Sequence, residues 1–114
     1  MNRFEIHIPL RYNDGAVIEQ AKLDQTQAEL YERFGGMTVE GPVKGWWVDE
    51  GRLYEDDQML FIVDTDDGEP AFWERYSAEL RERFEQEAMY VVSYPIHVVK
   101  ASQPAPVLVG EPYE

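Results

Sequence analysis

The segment from Gly45 to Gly68 constrains the fold of this chain more than any other. Its sequence is GWWVDEGRLYEDDQMLFIVDTDDG, with the turn residues Asp49-Glu50-Gly51 between two stretches of β-forming residues. Gly51 supplies the positive φ that a short hairpin loop commonly needs. Every side chain from residue 59 to residue 63 is apolar, so both faces of the second strand are apolar. The segment therefore predicts a long β-hairpin whose second strand lies inside a sheet.

The residues before the hairpin predict a strand, a helix and a second strand. Residues 3–8 alternate apolar and polar side chains, the period of a half-buried strand. From about residue 19 to residue 34 the apolar residues have the spacing of an amphipathic helix, and Gly35-Gly36 supply its left-handed C-cap. The next strand, residues 37–48, is interrupted at Gly41-Pro42, where a bend or bulge accounts for both breakers.

The residues after the hairpin predict a second helix and a fourth strand. Pro70 opens the helix, which runs to about Gln86. The strand covers 89–100 and carries Pro95 in its middle, which suits an edge position. The third strand, the second of the hairpin, allows a bulge at Asp56-Asp57. The apolar stripe of the second helix consists of Trp73, Tyr76, Leu80 and Phe84.

The order β-α-β-β-α-β is typical of a ferredoxin-like sandwich. We expect an α+β fold with an antiparallel sheet of strand order 4-1-3-2 and two helices on one face. Residues 1–100 form this single domain, and residues 101–114 form an extended, proline-rich tail. On the helices, we expect ion pairs between Glu29 and Arg33 and between Glu79 and Arg83, because each pair has i, i+4 spacing.

Charge and composition exclude several classes of function. The net charge is −13, with ten scattered basic residues, so direct binding to nucleic-acid phosphates is not expected. No apolar run approaches the length of a membrane span, and the absence of cysteine fits a reducing compartment. With no secretory signal in the sequence, we expect a soluble, cytoplasmic protein without a cofactor or a membrane partner.

Four segments in order resemble an uncharacterised family of small bacterial α+β proteins with no established activity. They are YNDG at 12–15, RFGGMTV at 33–39, GWWVDEGRLYED at 45–56 and RFEQE at 83–87. The resemblance covers residues 15–100 approximately. It implies the fold and a bacterial origin, and it carries over no catalytic residue.

Two groups of side chains are candidates for metal binding. His7 and His97, on neighbouring strands, can ligate a transition metal together with Glu5 or Asp64, or they are simply surface histidines. The acids after the third strand can bind Ca²⁺ or Mg²⁺ through oxygen, although Gly68 breaks the EF-hand spacing. As an alternative, these acids decorate the N-terminus of the second helix. They are Asp64, Asp66, Asp67 and Glu69.

The hairpin also predicts a contact surface. Trp46 and Trp47 point to opposite faces of their strand, and together with Leu60 and Ile62 they make the helix-free face of the sheet partly apolar. We expect a second copy, another protein or the C-terminal tail to cover this face. The acidic surface beside it consists of Asp49, Glu50, Glu55, Asp56 and Asp57.

Three functions fit these features. The first is a non-catalytic interaction or regulatory module, a homodimer or an accessory subunit, that contacts a protein through the open sheet face and the hairpin. The second is a small enzyme of the dimeric α+β-barrel kind with a pocket on that face. The third is an inhibitor or antitoxin whose acidic surface mimics nucleic acid. The candidate catalytic residues of the enzyme are Glu5, His7, His97 and Tyr54.

Overall fold

The strands and helices follow the predicted order. The computed structural model describes residues 1–66, 69–99 and Gly110. Within these residues the elements are β1 (Asn2–Pro9), α1 (Gln20–Phe34), β2 (Thr38–Asp49), β3 (Arg52–Thr65), α2 (Pro70–Arg83) and β4 (Val91–Pro95).

The described strands form one antiparallel sheet in the order β2-β3-β1-β4. This is the predicted 4-1-3-2 order read from the opposite edge, so the ferredoxin-like α+β fold is confirmed. The strand β3 lies between β2 and β1, so both of its edges are paired. Its alternate residues Phe61 and Val63 enter the core, whereas Leu60 and Ile62 lie on the helix-free face.

The hydrophobic core lies between one face of the sheet and the two helices. Alternate residues of β1 and β3 point into it, and Phe4 of β1 stacks on Trp73 of α2 with ring centroids 4.3 Å apart. Ile18, in the loop before α1, is also buried, which periodicity does not reveal because the residue lies outside any regular element. The core side chains are Phe4, Ile6, Ile8, Ile18, Leu30, Phe61, Val63, Trp73, Tyr76, Leu80 and Phe84.

A bulge interrupts the hairpin in β2. The pairing register between β2 and β3 shifts between Glu40 and Val43, as the Gly41-Pro42 pair predicts. The expected bulge at Asp56-Asp57 is wrong, because these residues continue the ladder opposite Gly45 and Lys44. The described hairpin thus contains one bulge, and it lies at Gly41-Pro42, where proline lacks the N–H that regular pairing needs.

The fourth strand and the second helix are shorter than predicted. The strand β4 has five residues and ends at Pro95, instead of containing Pro95 in its middle, although it does lie at the sheet edge. Proline lacks the N–H that a longer ladder needs. The helix α2 ends at Arg83, with Phe84 as its C-cap.

Part of the prediction lies outside the described residues. The expected tail, residues 101–114, is described only at Gly110, and Asp67 is also not described. Among the described helices, none combines the length and the apolar character that a membrane crossing requires.

Candidate functional site on the open sheet face and hairpin

The hairpin extends well beyond the rest of the sheet. Pairing between β1 and β3 ends where Pro9 lies opposite Gln58, and the backbone N–H of Leu10 then donates to the carbonyl oxygen of Asp57. Farther out, the described strands pair only with each other, β2 with β3. We call residues 43–57 the hairpin arm. At about 3.3 Å per residue, it projects roughly 20 Å as a two-stranded ribbon.

Both faces of the hairpin arm carry exposed apolar side chains. On the face that continues the helix-free side of the sheet, Trp47 stacks on Tyr54, with ring centroids 5.6 Å apart and planes 13° from parallel. The opposite face carries Trp46, Val48 and Leu53, which are 58%, 69% and 71% exposed. The two tryptophans therefore point to opposite sides, as predicted, and neither is buried in the single chain.

The charged residues on the Trp46 face of the hairpin arm bind one another. Lys44 Nζ donates to Glu55 Oε1 at 2.6 Å and lies 3.9 Å from Asp57 Oδ1. Trp46 Nε1 donates to the other oxygen of Glu55, at 3.2 Å. The hydrogen bonds from Lys44 and Trp46 lower the pKa of Glu55. These contacts fix the direction of the arm's side chains, while Asp49 and Glu50 remain exposed at its tip.

A groove of about 580 Å³ lies on the open sheet face at the base of the hairpin arm. Its lining includes Glu5 and His7 of β1, Gln58 of β3 and Trp47 of β2, together with Tyr90 and Val92. Two residues that sequence reasoning proposed for acid–base chemistry, Glu5 and His7, thus lie in one cavity. The pairing register explains this, since both side chains point to the helix-free face of the same strand.

A chain of hydrogen bonds orients His7. Its Nδ1 lies 2.8 Å from Gln58 Oε1, and Gln58 Nε2 lies 3.4 Å from Asp56 Oδ2. The amide nitrogen of Gln58 donates to the Asp56 carboxylate, so the amide oxygen of Gln58 faces His7. This oxygen can only accept, and His7 Nδ1 is therefore the donor. In the neutral ring Nε2 is then a hydrogen-bond acceptor. The ring also makes an edge contact with Tyr90, with centroids 4.7 Å apart.

Glu5 has one oxygen bound within the protein. The Tyr94 hydroxyl donates to Glu5 Oε2, and this hydrogen bond raises the pKa of Tyr94. No described residue donates to Glu5 Oε1. Farther along the same face, Arg3 binds Asp64 through Nε at 2.8 Å and Nη2 at 3.1 Å.

The structure does not bring the two histidines together. His7 pairs through its backbone N–H with Tyr90, whereas His97 follows the opposite end of β4, where Ile96 N–H donates to Met1. Seven residues of extended chain separate the two positions by about 20 Å. At that distance His7 and His97 do not ligate one metal ion together, which leaves the alternative of two separate histidines. Tyr54 lies farther out on the hairpin arm, against Trp47.

The acids after β3 are partly engaged in ion pairs. Asp64 is bound by Arg3, and Glu69 lies 2.7 Å from Arg33 Nη2. Asp66 is exposed, and Asp67 is not described. Among the described residues, no group of three or more histidine and acidic side chains is arranged to hold a metal ion.

The predicted contact residues on β3 are less accessible than the tryptophans. Leu60 is half-buried, and Ile62 is 8% exposed within the single chain. Most of the exposed apolar area of this region therefore belongs to the hairpin arm. The assignment of these four residues to an interface stays a prediction.

Sequence reasoning missed a polar network between the helices. Glu29 pairs with Arg83, and Arg33 pairs with Glu69, so the expected i, i+4 ion pairs of Glu29 with Arg33 and of Glu79 with Arg83 are wrong. Arg83 Nη1 also donates to Thr26 Oγ1 at 2.7 Å. Thr26 lies on the apolar face of α1, and a threonine at such a position is the sequence signal that could have indicated a buried polar partner.

The comparisons with known proteins find solved structures of similar fold. No family model and no curated protein matches the sequence. The divalent cation tolerance protein CutA1 from Thermus thermophilus has a similar structure, with 14% identity, a TM-score of 0.61 and coverage of 88% of each chain. CutA1 from Oryza sativa is similar at 11% identity and a TM-score of 0.61, covering 87% of this chain and 82% of that one.

A phage SAM lyase in complex with S-methyl-5'-thioadenosine has a similar structure as well. Its identity is 19%, its TM-score is 0.58, and the match covers 82% of this chain and 79% of the lyase. At such identities the likeness establishes the shared fold. It agrees with the fold that the resemblance to small bacterial α+β proteins implies.

Proposed function

We propose that this protein is a non-catalytic interaction module that assembles with a second copy of itself through the hairpin arm and the open sheet face. The observation that carries the proposal is the hairpin arm itself. It is a projecting ribbon of two strands with exposed apolar side chains on both faces. The proposal includes the predicted cytoplasmic location.

A two-stranded hairpin without further support is at best marginally stable in water. In this arm, Val48 and Leu53 are about seven-tenths exposed, and the two indoles are about half exposed. Full burial of one such side chain contributes about 1.5–3 kcal/mol. A partner that covers the arm thus stabilises both the complex and the arm.

The backbone of the hairpin arm favours a partner that adds a strand. Between Gln58 and the tip of the arm, β3 has β2 on one edge and no described strand on the other edge. Such unpaired N–H and C=O groups are a template for strand addition. A second copy offers the same edge and the same apolar side chains, which is what a self-complementary interface requires.

Equilibrium sedimentation at micromolar concentrations tests the proposal. We expect the full chain to be an oligomer and the double variant Val48→Asp, Leu53→Asp to be a folded monomer. The matched control is Val17→Asp, because Val17 is 66% exposed but lies outside the arm. A monomeric wild-type protein, or a double variant that still assembles, would show that the arm is not a self-association surface.

The groove favours a second candidate, a small enzyme with its pocket on the open sheet face. Glu5 and His7 would supply the acid–base groups, and one protein of similar fold is a SAM lyase with S-methyl-5'-thioadenosine bound. Incubation with S-adenosylmethionine, followed by chromatographic detection of S-methyl-5'-thioadenosine, tests this reaction. Product that disappears in both Glu5→Gln and His7→Gln supports the candidate, and absence of product from the wild-type protein removes this reaction.

A further inference from the structure

We infer that the open-face groove binds an organic cation that carries N–H donors, such as an amidinium, guanidinium or primary ammonium group on a flat body. The groove has the volume of a small-molecule site, about 580 Å³, within the usual range of roughly 300–1,000 Å³. The inference rests on neither the self-association nor the enzymatic activity proposed above.

Aromatic side chains form part of the groove's wall. Trp47 has one indole face against Tyr54, and this contact holds the ring in place beside the groove. Tyr90 is 64% exposed and packs edge-on against His7. Aromatic faces attract organic cations through the negative charge density above the ring, and tryptophan does so best.

Two polar side chains of the groove, Glu5 and His7, offer hydrogen-bond acceptors to a ligand. Glu5 Oε1 has no described donor, and in the neutral ring of His7 Nε2 is an acceptor because Nδ1 donates to Gln58. The two side chains lie two residues apart on one face of β1, about 7 Å from each other along the strand. A ligand that bridges them must donate hydrogen bonds at both ends or along one planar edge.

The neighbouring cationic groups are already neutralised. Lys44 lines the groove, but its ammonium is bound by Glu55 and lies near Asp57, whose side chains are on the opposite face of the arm. The guanidinium of Arg3 is bound by both oxygens of Asp64. With Glu5 and Asp56 on the groove's own face, an anionic ligand meets uncompensated negative charge, whereas a cation is attracted.

Benzamidine, which is cationic at neutral pH, is the probe, with neutral benzamide and anionic benzoate as isosteric comparisons. Isothermal titration and two-dimensional amide NMR on the full chain measure binding. We expect benzamidine to bind at least about tenfold more tightly than benzamide, because charge-assisted hydrogen bonds are roughly twice as strong as neutral ones. The NMR shifts should map to residues around Glu5, His7 and Trp47.

Variants with one charge removed separate the groove from the overall charge of the chain. Glu5→Gln keeps an acceptor for Tyr94 and should weaken benzamidine binding about tenfold or more, and Trp47→Leu should also weaken it. Glu74→Gln is the matched control, because Glu74 is an exposed acid on α2 far from the groove. It should leave the affinity unchanged.

Three outcomes overturn the inference. Equal binding of benzamidine and benzamide means that the groove does not select a cation. Equal weakening in Glu5→Gln and Glu74→Gln means that only the net charge of −13 attracts the probe. Because a second copy would cover the same face, the titration is repeated on the double variant Val48→Asp, Leu53→Asp, whose substituted residues do not line the groove. Binding by this variant but not by the assembled wild type means occlusion by self-association, whereas no binding by either protein overturns the inference.

Discussion

Arg83, at the end of α2, binds Glu29, in the middle of α1, through two parallel hydrogen bonds. The distances are 2.7 Å from Nη1 to Oε1 and 3.0 Å from Nη2 to Oε2. The Tyr76 hydroxyl donates to the same Oε1 at 2.8 Å. Burial and the neighbouring Glu29 carboxylate raise the pKa of Tyr76. Two helices that are far apart in sequence are therefore joined by a bidentate pair, the strongest geometry for such a bond.

We expect Arg83→Met to lower the free energy of unfolding by about 1–3 kcal/mol. The substitution leaves the partly buried Glu29 carboxylate with fewer donors, at a cost below that of a fully buried pair. Urea denaturation measures the change, and Arg81→Met, on the exposed side of the same helix, is the control. A double-mutant cycle with Glu29→Gln should give a clear coupling energy, and additive effects would contradict the pairing.

Stability should fall in acid because of Glu29. Burial alone would raise its pKa, but the hydrogen bonds from Arg83 and Tyr76 outweigh burial and lower the pKa from its ordinary value of 4.5. A lowered pKa in the folded state contributes stability that is present above the unfolded pKa and is lost as the pH falls through the folded pKa. Denaturant midpoints measured from pH 6 downward should therefore drop less steeply for Glu29→Gln than for wild type. Parallel curves would be inconsistent with this role.

Gly41 should not tolerate a side chain. Its φ is +129°, and a Cβ there would lie 3.0 Å from the carbonyl oxygen of Gln58 and 3.1 Å from Met59 Sδ. We expect Gly41→Ala to destabilise the protein by about 1–3 kcal/mol, since the left-handed backbone and the contact with a backbone atom both oppose it. In Gly36→Ala a Cβ meets nothing within 4 Å, so thermal unfolding should show little change. Similar losses in the two variants would mean that the β2 bulge does not require glycine.

Self-association should strengthen with salt. Each chain carries a net charge of −13, and the hairpin arm has five acids against two bases, so two copies repel each other at low ionic strength. Sedimentation between low and moderate salt should show a rising oligomer fraction. If the protein instead binds a basic partner, as an inhibitor or antitoxin would, that binding should weaken as the salt concentration rises over the same range. The direction of the salt effect therefore distinguishes the two kinds of partner.

Local patterns predicted the fold well because each one follows from the periodicity of a single element. The alternation in residues 3–8, the paired glycines after α1 and the apolar run in β3 each depend on nearby residues. The bulge in β2 was predicted for the same reason, because Gly41-Pro42 cannot maintain a regular ladder. Those signals, combined with the topology rules for split βαβ units, gave the strand order.

The candidate site was only partly predictable. The sequence identified Glu5, His7 and the two tryptophans, but it also grouped His97 and Tyr54 with them. Register decides the grouping, since an antiparallel neighbour can lie at either end of a strand. Gln58, which fixes the orientation of His7, carried no signal at all because a polar residue within a strand usually faces solvent.

The sequence by itself determined the elements, their order and the acidic, hairpin-centred character of the protein, because helix and strand periods, turn residues and net charge are properties of the chain. Tertiary structure alone decided the partners of side chains far apart in sequence. It paired Glu29 with Arg83, placed the groove between β1 and the base of the hairpin arm, and left that arm projecting beyond the end of β1. Such contacts depend on where strands stop and how helices cross the sheet, and no local pattern contains that information.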